Sequence, residues 1–300
     1  MKAWSALSVL ILAAVGFLVM RPGQDPDSQA PTAMQAPTPE EREAAFQAEI
    51  RMENPIAPLN SVWIEELTWI EVRDAMAAGK TTAIIPTGGI EQNGPYVALG
   101  KHNYVLEGAC DAIARELGNA LCTPIIKLVP EGGFEPRTGH MRYPGTLTVR
   151  DETFRMMLED VGHSLHVHGF EHIIYIGDSG GNQAGMAAAA AALNERWGET
   201  KAHHIAGYYD NAGVVARMSE LGVEEGPSDG YHDTYWLTSM QMTVDPSSVR
   251  YDERVAAGKA TINGVSIAPM EETIALGEQL MEWRNNKTVE LIREAIAGSS

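Results

Sequence analysis

Cysteine is scarce in this sequence: its 300 residues contain only Cys110 and Cys122. Two cysteines cannot build a disulfide scaffold, and the absence of a Cys-x-x-Cys pair excludes the usual zinc-knuckle and redox motifs. Any metal ion must therefore be held by histidine, aspartate, glutamate or asparagine. The two thiols can pair in an oxidising compartment or stay buried and unreacted, and the sequence leaves both states open.

Positive charge is also in short supply, because 22 lysines and arginines face 40 aspartates and glutamates, for a net charge of −18. Such a field repels polyphosphates and leaves no extended basic surface, so nucleic acid is not an expected partner. A hydrophobic content of 44 % and a charged content of 21 % are typical of a folded globular chain. The length allows a large hydrophobic core.

The longest apolar run lies at the N terminus, from Ala3 to Met20, behind a single lysine. A basic start, an apolar run and an acidic, proline-rich tail indicate export across a membrane. We expect residues 1–22 to be a signal peptide or a retained membrane anchor, and the protein to be periplasmic or anchored facing the exterior. Residues 23–50 then form a linker and an N-terminal helix, and residues 51–300 a single domain.

From about residue 40, helical apolar spacing alternates with short strand-like runs bounded by glycine and proline. The pattern predicts helices over 40–52, 69–78, 104–117, 151–168 and 182–197. It predicts strands over 82–86, 123–129, 146–149, 173–176 and 203–209, and a helical, strand-poor region after residue 251. Strands separated by such helices form right-handed βαβ units, so we expect an α/β domain around a mostly parallel sheet.

Two glycine-rich loops, 88–95 and 177–182, follow predicted strands. Ligands of open parallel sheets bind beyond the carboxyl ends of the strands. The loops combine glycine, which allows sharp turns, with polar side chains such as Glu91 and Asp178. We therefore expect the two loops to form the functional site together.

The second loop contains Gly-Asp-Ser-Gly-Gly, the string found around the nucleophile of trypsin-like proteases. Here the string joins a predicted strand to an alanine-rich helix, whereas those proteases are β-barrels, so we regard the match as accidental. A metal-free hydrolase that uses Ser179 would need His232 or His140 within hydrogen-bonding distance of the serine.

Four segments, taken in order, resemble the creatininase family over about residues 65–250. Residues 85–102 resemble its string P-x-G-S-x-E-Q-H-G-P-H-L-P-L-G-T-D, and residues 140–147 resemble its H-x-x-F-P-G-T-I. Residues 168–182 are similar to its H-G-F-x-x-I-x-x-x-N-G-H-G-G-N. Residues 232–246 follow its H-A-G-x-x-E-T-S-x-x-L-x-x-x-P in spacing.

This resemblance implies a three-layer α/β/α domain, often assembled as a hexamer, that hydrolyses the C–N bond of an amide with a pair of zinc or manganese ions. Glu91 matches one family ligand, but Asn93, His102 and Ser179 stand where the family has His, Asp and His. Two nearby divalent cations need a bridging carboxylate, which His102 cannot provide. We therefore expect one zinc or manganese ion.

The resemblance and the residue chemistry together suggest roles for the polar residues. The ion is expected to be bound by Glu91 and His102, with Asp178 or a histidine of another loop as the third ligand. Acid–base catalysis is expected from His232 and His140, and substrate contacts from Asn93, Ser179, Asn182 and Trp236. Structural roles stay open for four of these residues. Glu91 can instead brace its turn, and His102 can lie on the solvated surface. Asp178 can cap the following helix, and His140 can be a turn residue.

Two functions are consistent with these features. The first is an exported, metal-dependent amidohydrolase that acts on a small amide or cyclic amide and forms a homo-oligomer, a hexamer by resemblance. The second is a non-catalytic protein of the same fold that binds a small amide-containing ligand outside the cytoplasm. Metal content separates them, because only the first function requires the ion.

Overall fold

The computed structural model describes residues 36–298 of the chain. The export segment predicted at residues 1–22 lies outside the described residues. Among the helices within them, none is long and apolar enough to cross a bilayer. The chain divides into two compact units after Met52. The first carries helix α1 (Pro39–Ile50), which begins at a capping box formed by Thr38 and Glu41.

The second unit, from Glu53 onward, is an α/β domain. Its helices are α2 (Trp69–Ala77), α3 (Lys101–Leu117), α4 (Asp151–Val167), α5 (Gln183–Trp197), α6 (Asn211–Glu220), α7 (Tyr235–Met242), α8 (Tyr251–Ala256) and α9 (Met270–Ala297). Its strands are β1 (Thr82–Thr87), β2 (Ala120–Cys122), β3 (His172–Gly177), β4 (Ala202–His204), β5 (Thr261–Ile262) and β6 (Val265–Ser266). The first four strands form a parallel sheet in the order β2-β1-β3-β4, and β5 pairs antiparallel with β6.

Alternate residues of the central strands face two separate hydrophobic cores. Ile84 and Ile174 pack with residues of α3, α7 and α9 on one face of the sheet. Ile85 and Tyr175 pack with residues of α4 and α5 on the other face. Because successive side chains of a strand point to opposite faces, the sheet is covered on both sides. The expected α/β/α arrangement is confirmed.

The strand predicted over 123–129 is wrong in its position. The observed strand, β2, ends at Cys122, and Pro124 has no N–H with which to continue a ladder. An isolated bridge between Ile126 and Thr87 follows it. The chain therefore still runs beside β1, but in irregular form.

Two other predicted strands are shorter than expected. The one over 203–209 stops at His204 in β4, and a 3-10 helix (Ala206–Tyr209) takes its place. The one over 146–149 is reduced to an isolated antiparallel bridge between Leu147 and Ile90. Helices α6 and α7 carry no sequence prediction, because their apolar residues lie in short runs between glycine-rich segments.

Cys110 of α3 and Cys122 of β2 form a disulfide. Both residues are fully buried, and their Cα atoms lie 6.3 Å apart. Since β2 is an outer strand of the four, the bond ties this side of the sheet to the helix that covers it. Of the two states that the sequence left open, the structure has the paired one.

A substitution at Gly277 can test the close packing of α9 on α7. A Cβ atom added at this position would collide with the main-chain carbonyl of Ser239 in α7. We expect Gly277→Ala to lower the free energy of unfolding by about 1–3 kcal/mol, because the two helices must move apart. Urea denaturation measures the change, and the exposed neighbour Glu278→Ala should shift it by less than about 0.5 kcal/mol. Unchanged stability of Gly277→Ala would contradict this packing.

Candidate active site

The two glycine-rich loops meet, as expected, beyond the carboxyl ends of β1 and β3. Thr87 at the end of β1 is paired with Gly177 at the end of β3. The Asn182 side-chain amide, which is fully buried, donates to the main-chain oxygens of Thr87 at 3.1 Å and Gly88 at 2.8 Å. The second loop is therefore tied directly to the first.

Glu91 lies at the centre of the site, with its side chain only 2 % exposed. The Nε2 atom of His102 is 2.7 Å from Glu91 Oε1, and Lys101 Nζ is 3.6 Å from the same oxygen. His140 Nε2 is 3.2 Å from Glu91 Oε2, and His232 Nδ1 is 3.5 Å from Oε1. The structure thus gathers four basic side chains around one carboxylate.

His102 bridges two carboxylates. Its Nε2 atom faces Glu91, and its Nδ1 atom lies 2.8 Å from Asp178 Oδ2. Arg284 of α9 extends this network of contacts, because its Nη1 atom donates to Asp178 Oδ1 at 2.8 Å. The Arg284 guanidinium also lies 4.4 Å from the ring centre of Tyr208. A continuous, buried network of alternating charges therefore runs from α9 to Glu91.

The neighbours of these groups set their ionisation. Burial and Lys101 lower the pKa of His102, but its hydrogen bonds to Asp178 and Glu91 raise the pKa above its usual value. Burial raises the pKa of Glu91, yet His102, Lys101 and His140 hold it well below its usual range. Burial raises the pKa of Asp178, and Arg284 and His102 bring it below its usual value. These shifts favour two carboxylates joined by a doubly protonated imidazole.

This arrangement bears on the ligands expected from the sequence. Glu91, His102 and Asp178 are in direct contact, but a His102 ring that donates from both nitrogens has no lone pair for a cation. Metal binding by His102 would require loss of a proton and displacement of one carboxylate. Asp178 does not cap helix α5, because its oxygens face His102 and Arg284. The ligand roles of His102 and Asp178 stay predictions.

Glu91 has a second set of partners that could hold a cation. Ligand atoms of Glu91, His140 and His232 all lie within 4.8 Å of one another. Atoms bonded at about 2.0–2.1 Å to a tetrahedral ion are roughly 3.3–3.5 Å apart, and each histidine lies at about this distance from a different oxygen of Glu91, His140 at 3.2 Å from Oε2 and His232 at 3.5 Å from Oε1. Burial and Lys101 lower the pKa of His232, which favours its neutral, ligating form. These three residues can hold one divalent ion once His232 Nδ1 exchanges its 3.1 Å contact with the Gln92 main-chain oxygen for the ion.

A cavity of about 480 Å³ opens onto this group. Its walls include Ser179 and Trp236, two of the residues expected to contact substrate. Asn93 instead braces the first loop, because its amide donates to the main-chain oxygens of Glu91 at 2.9 Å and Ala98 at 3.3 Å. No hydrogen bond within residues 36–298 joins the Ser179 hydroxyl to a histidine, so the arrangement required for a serine hydrolase is not observed.

Three ionisable residues of the site were not indicated as functional by any sequence pattern. Glu131 is buried in the cavity wall, and burial and the nearby Glu91 carboxylate raise the pKa of Glu131 to about 9. Lys101 also lines the cavity, and burial lowers its pKa against the opposing effect of Glu91. Arg284 lies 106 residues after its partner Asp178. Of the three, only Lys101 lies within a family string, the one that residues 85–102 resemble.

A family model described as creatininase, creatinine amidohydrolase, matches residues 65–292. The creatinine amidohydrolase of Pseudomonas putida is 26 % identical over 117 residues, which are 38 % of this chain and 43 % of that protein. The mycofactocin precursor peptide peptidase of Mycobacterium ulcerans (strain Agy99) is 24 % identical over 179 residues, or 59 % of this chain and 63 % of that protein. The chain thus matches less than two thirds of the length of either relative.

Solved creatininase structures share the fold. A mutant creatininase of zinc–zinc type superposes with a TM-score of 0.60 at 18 % identity, covering 79 % of this chain and 98 % of the other. A manganese creatininase superposes with a TM-score of 0.56 at 20 % identity, with the same coverage of 79 % and 98 %. At these identities the likeness establishes the architecture.

Substitution of Arg284 tests the buried network of charges. We expect Arg284→Met to lower the free energy of unfolding by about 3–5 kcal/mol, because Asp178 loses its permanent counter-charge while staying buried. Urea denaturation of the full chain measures this loss. Arg293→Met, which removes an exposed arginine of the same helix, should change stability by less than about 1 kcal/mol. Equal losses in the two variants would contradict the importance of the buried contact.

Proposed function

This chain belongs to the creatininase family, and we propose that it is a hydrolase that cleaves the C–N bond of a small amide or cyclic amide with one bound divalent cation. The observation that carries the proposal is the convergence of Glu91, His140 and His232 at the cavity. One carboxylate, two imidazoles and an open cavity are the usual composition of a catalytic zinc site. Zinc and manganese are the cations we propose.

The chain's own residues prepare this site. A divalent cation bound there supplies an acidified water and a polarised carbonyl. Glu91 is held ionised by its contacts with His102 and Lys101, and His140 and His232 each offer a ring nitrogen. With both histidines directed to the ion, Glu131 is the proton-bearing acid of the cavity wall, and we assign to its carboxyl the proton given to the leaving nitrogen.

A second ion does not fit the residues that are present. The ring of His102 fills the space between Glu91 and Asp178 and donates to both, so no bridging carboxylate is left between two cations. Asn93 is turned toward the main chain of its own loop. The proposal is therefore a mononuclear enzyme. The cavity volume of about 480 Å³ suits a small-molecule substrate.

Metal content tests the proposal. We expect about one zinc or manganese ion per chain in gently purified protein, measured by elemental analysis, and less than a tenth of that in Glu91→Ala and His140→Ala. Two exposed residues outside the site, Glu152 and His168, provide alanine controls that should keep the ion.

The opposite result favours the rival function. Wild-type protein that contains no ion and gains no thermal stability from added Zn²⁺ or Mn²⁺ would overturn the hydrolase proposal. A non-catalytic binding protein would instead be stabilised by a small amide ligand, with or without chelator.

We also propose that the chain is exported and forms a homo-oligomer, a hexamer by family resemblance. The N-terminal apolar run supports export, as does the Cys110–Cys122 disulfide, a bond that persists in oxidising compartments. In a bacterial host, the full chain should fractionate with the periplasm or membrane. A chain lacking residues 1–22 should stay in the cytoplasm with both thiols open to alkylation. Cytoplasmic full-length protein would contradict export, and a monomer in light scattering would contradict assembly.

A further inference from the structure

We propose that Lys101 forms an oxyanion-binding subsite in the cavity, where its ammonium donates to the carbonyl oxygen of the substrate. The role of the subsite in hydrolysis rests on the function proposed above. The anion-binding property itself rests on the position of Lys101, and the two can be tested separately.

The position of Lys101 is unusual for a lysine. It is the first residue of α3, is only 3 % exposed, and lines the same cavity as Glu91, His140 and His232. Its Nζ atom lies 3.5 Å from the main-chain oxygen of His232 and 3.6 Å from Glu91 Oε1. Both distances exceed the usual 2.7–3.2 Å of an N–H···O hydrogen bond. The ammonium therefore has donor capacity to spare beside the candidate metal ligands.

The Glu91 and Asp178 carboxylates are already matched by contacts closer than those of Lys101. Glu91 and Asp178 share His102, at 2.7 and 2.8 Å, and Asp178 also accepts from Arg284 at 2.8 Å. Asp233, whose charge acts on Lys101, has Arg254 at 3.9 Å. These pairings leave Lys101 as a positive charge that a ligand in the cavity can use.

A purely structural role explains Lys101 poorly. Glu91 is held by His102 at 2.7 Å, so the more distant lysine adds little to its orientation. Burying an ammonium without close partners is costly, and an apolar side chain of similar length would fill the same space at lower cost. The positive end of the helix dipole lies at the same place, which favours negative charge in the adjoining cavity.

The chemistry of amide cleavage supplies such a charge. When a water that has lost a proton to solvent attacks the carbonyl carbon, the C=O electron pair moves onto the oxygen. The pair returns as the C–N bond breaks, the leaving nitrogen takes the proton of Glu131, and Glu131 regains one from solvent. A donor fixed beside that oxygen stabilises the intermediate more than the substrate. In this role the Lys101 ammonium transfers no proton, and its contribution is a hydrogen bond and a charge.

The experiment uses methylphosphonate, a tetrahedral anion, as a probe of this subsite. Isothermal titration calorimetry at pH 7 on the full chain, zinc-loaded and chelator-treated, gives its dissociation constant. Lys101→Met should weaken binding at least about tenfold in both forms, and Lys101→Arg should stay within about threefold of wild type. The exposed lysine at position 127 provides the control, because Lys127→Met should bind as wild type does. Thermal unfolding checks that each variant is folded.

Each outcome decides the matter. If chelator-treated wild type does not bind methylphosphonate, or if Lys101→Met binds it equally well, the subsite is overturned. Loss of zinc from Lys101→Met with unchanged methylphosphonate binding would show that Lys101 serves Glu91, which also overturns the subsite. Lysine-dependent binding of methylphosphonate in wild-type protein that takes up neither zinc nor manganese when these are added would support the subsite and refute the proposed metal-dependent hydrolase.

Discussion

The site depends on the imidazole of His102, which lies between two buried carboxylates. Glu91 and Asp178 face its two nitrogens at 2.7 and 2.8 Å. Two carboxylates drawn together away from water repel each other, and one of them must take up a proton unless a positive charge lies between them. A doubly protonated ring meets this requirement from within the chain. Arg284 reinforces it from α9, at the far end of the sequence.

This arrangement distinguishes the protein from the dinuclear enzyme that its motifs resemble. The chain keeps the fold of the family, and the His102 ring lies between the two carboxylates. In the mononuclear site that we propose, this ring replaces the carboxylate shared by two ions and keeps Glu91 ionised and oriented for one. Partners that orient a ligand in this way strongly affect metal affinity. Two cationic side chains, His102 and Lys101, thus share the site with a single candidate cation.

Much of this site could be found in the sequence, for a local reason. Glycine and polar residues directly after apolar strands mark the carboxyl edge of a parallel sheet, and both loops indeed meet there. Glu91, Asp178, His140 and His232 were found in this way or through short motifs. Glu131 and Arg284 were not, because a lone charge in a loop or on a long helix is indistinguishable from a surface residue until the chain has folded.

The alternation of strands and helices determined the α/β class and the identity of the two functional loops, since both follow from periodicity over a few residues. Tertiary structure alone decided what the charged residues do there. The place of His102 in a motif predicts a metal ligand. Its ring becomes a bridge only when Glu91 and Asp178 face its two nitrogens, because a lone pair or a proton on imidazole is set by neighbours from separate segments of the chain.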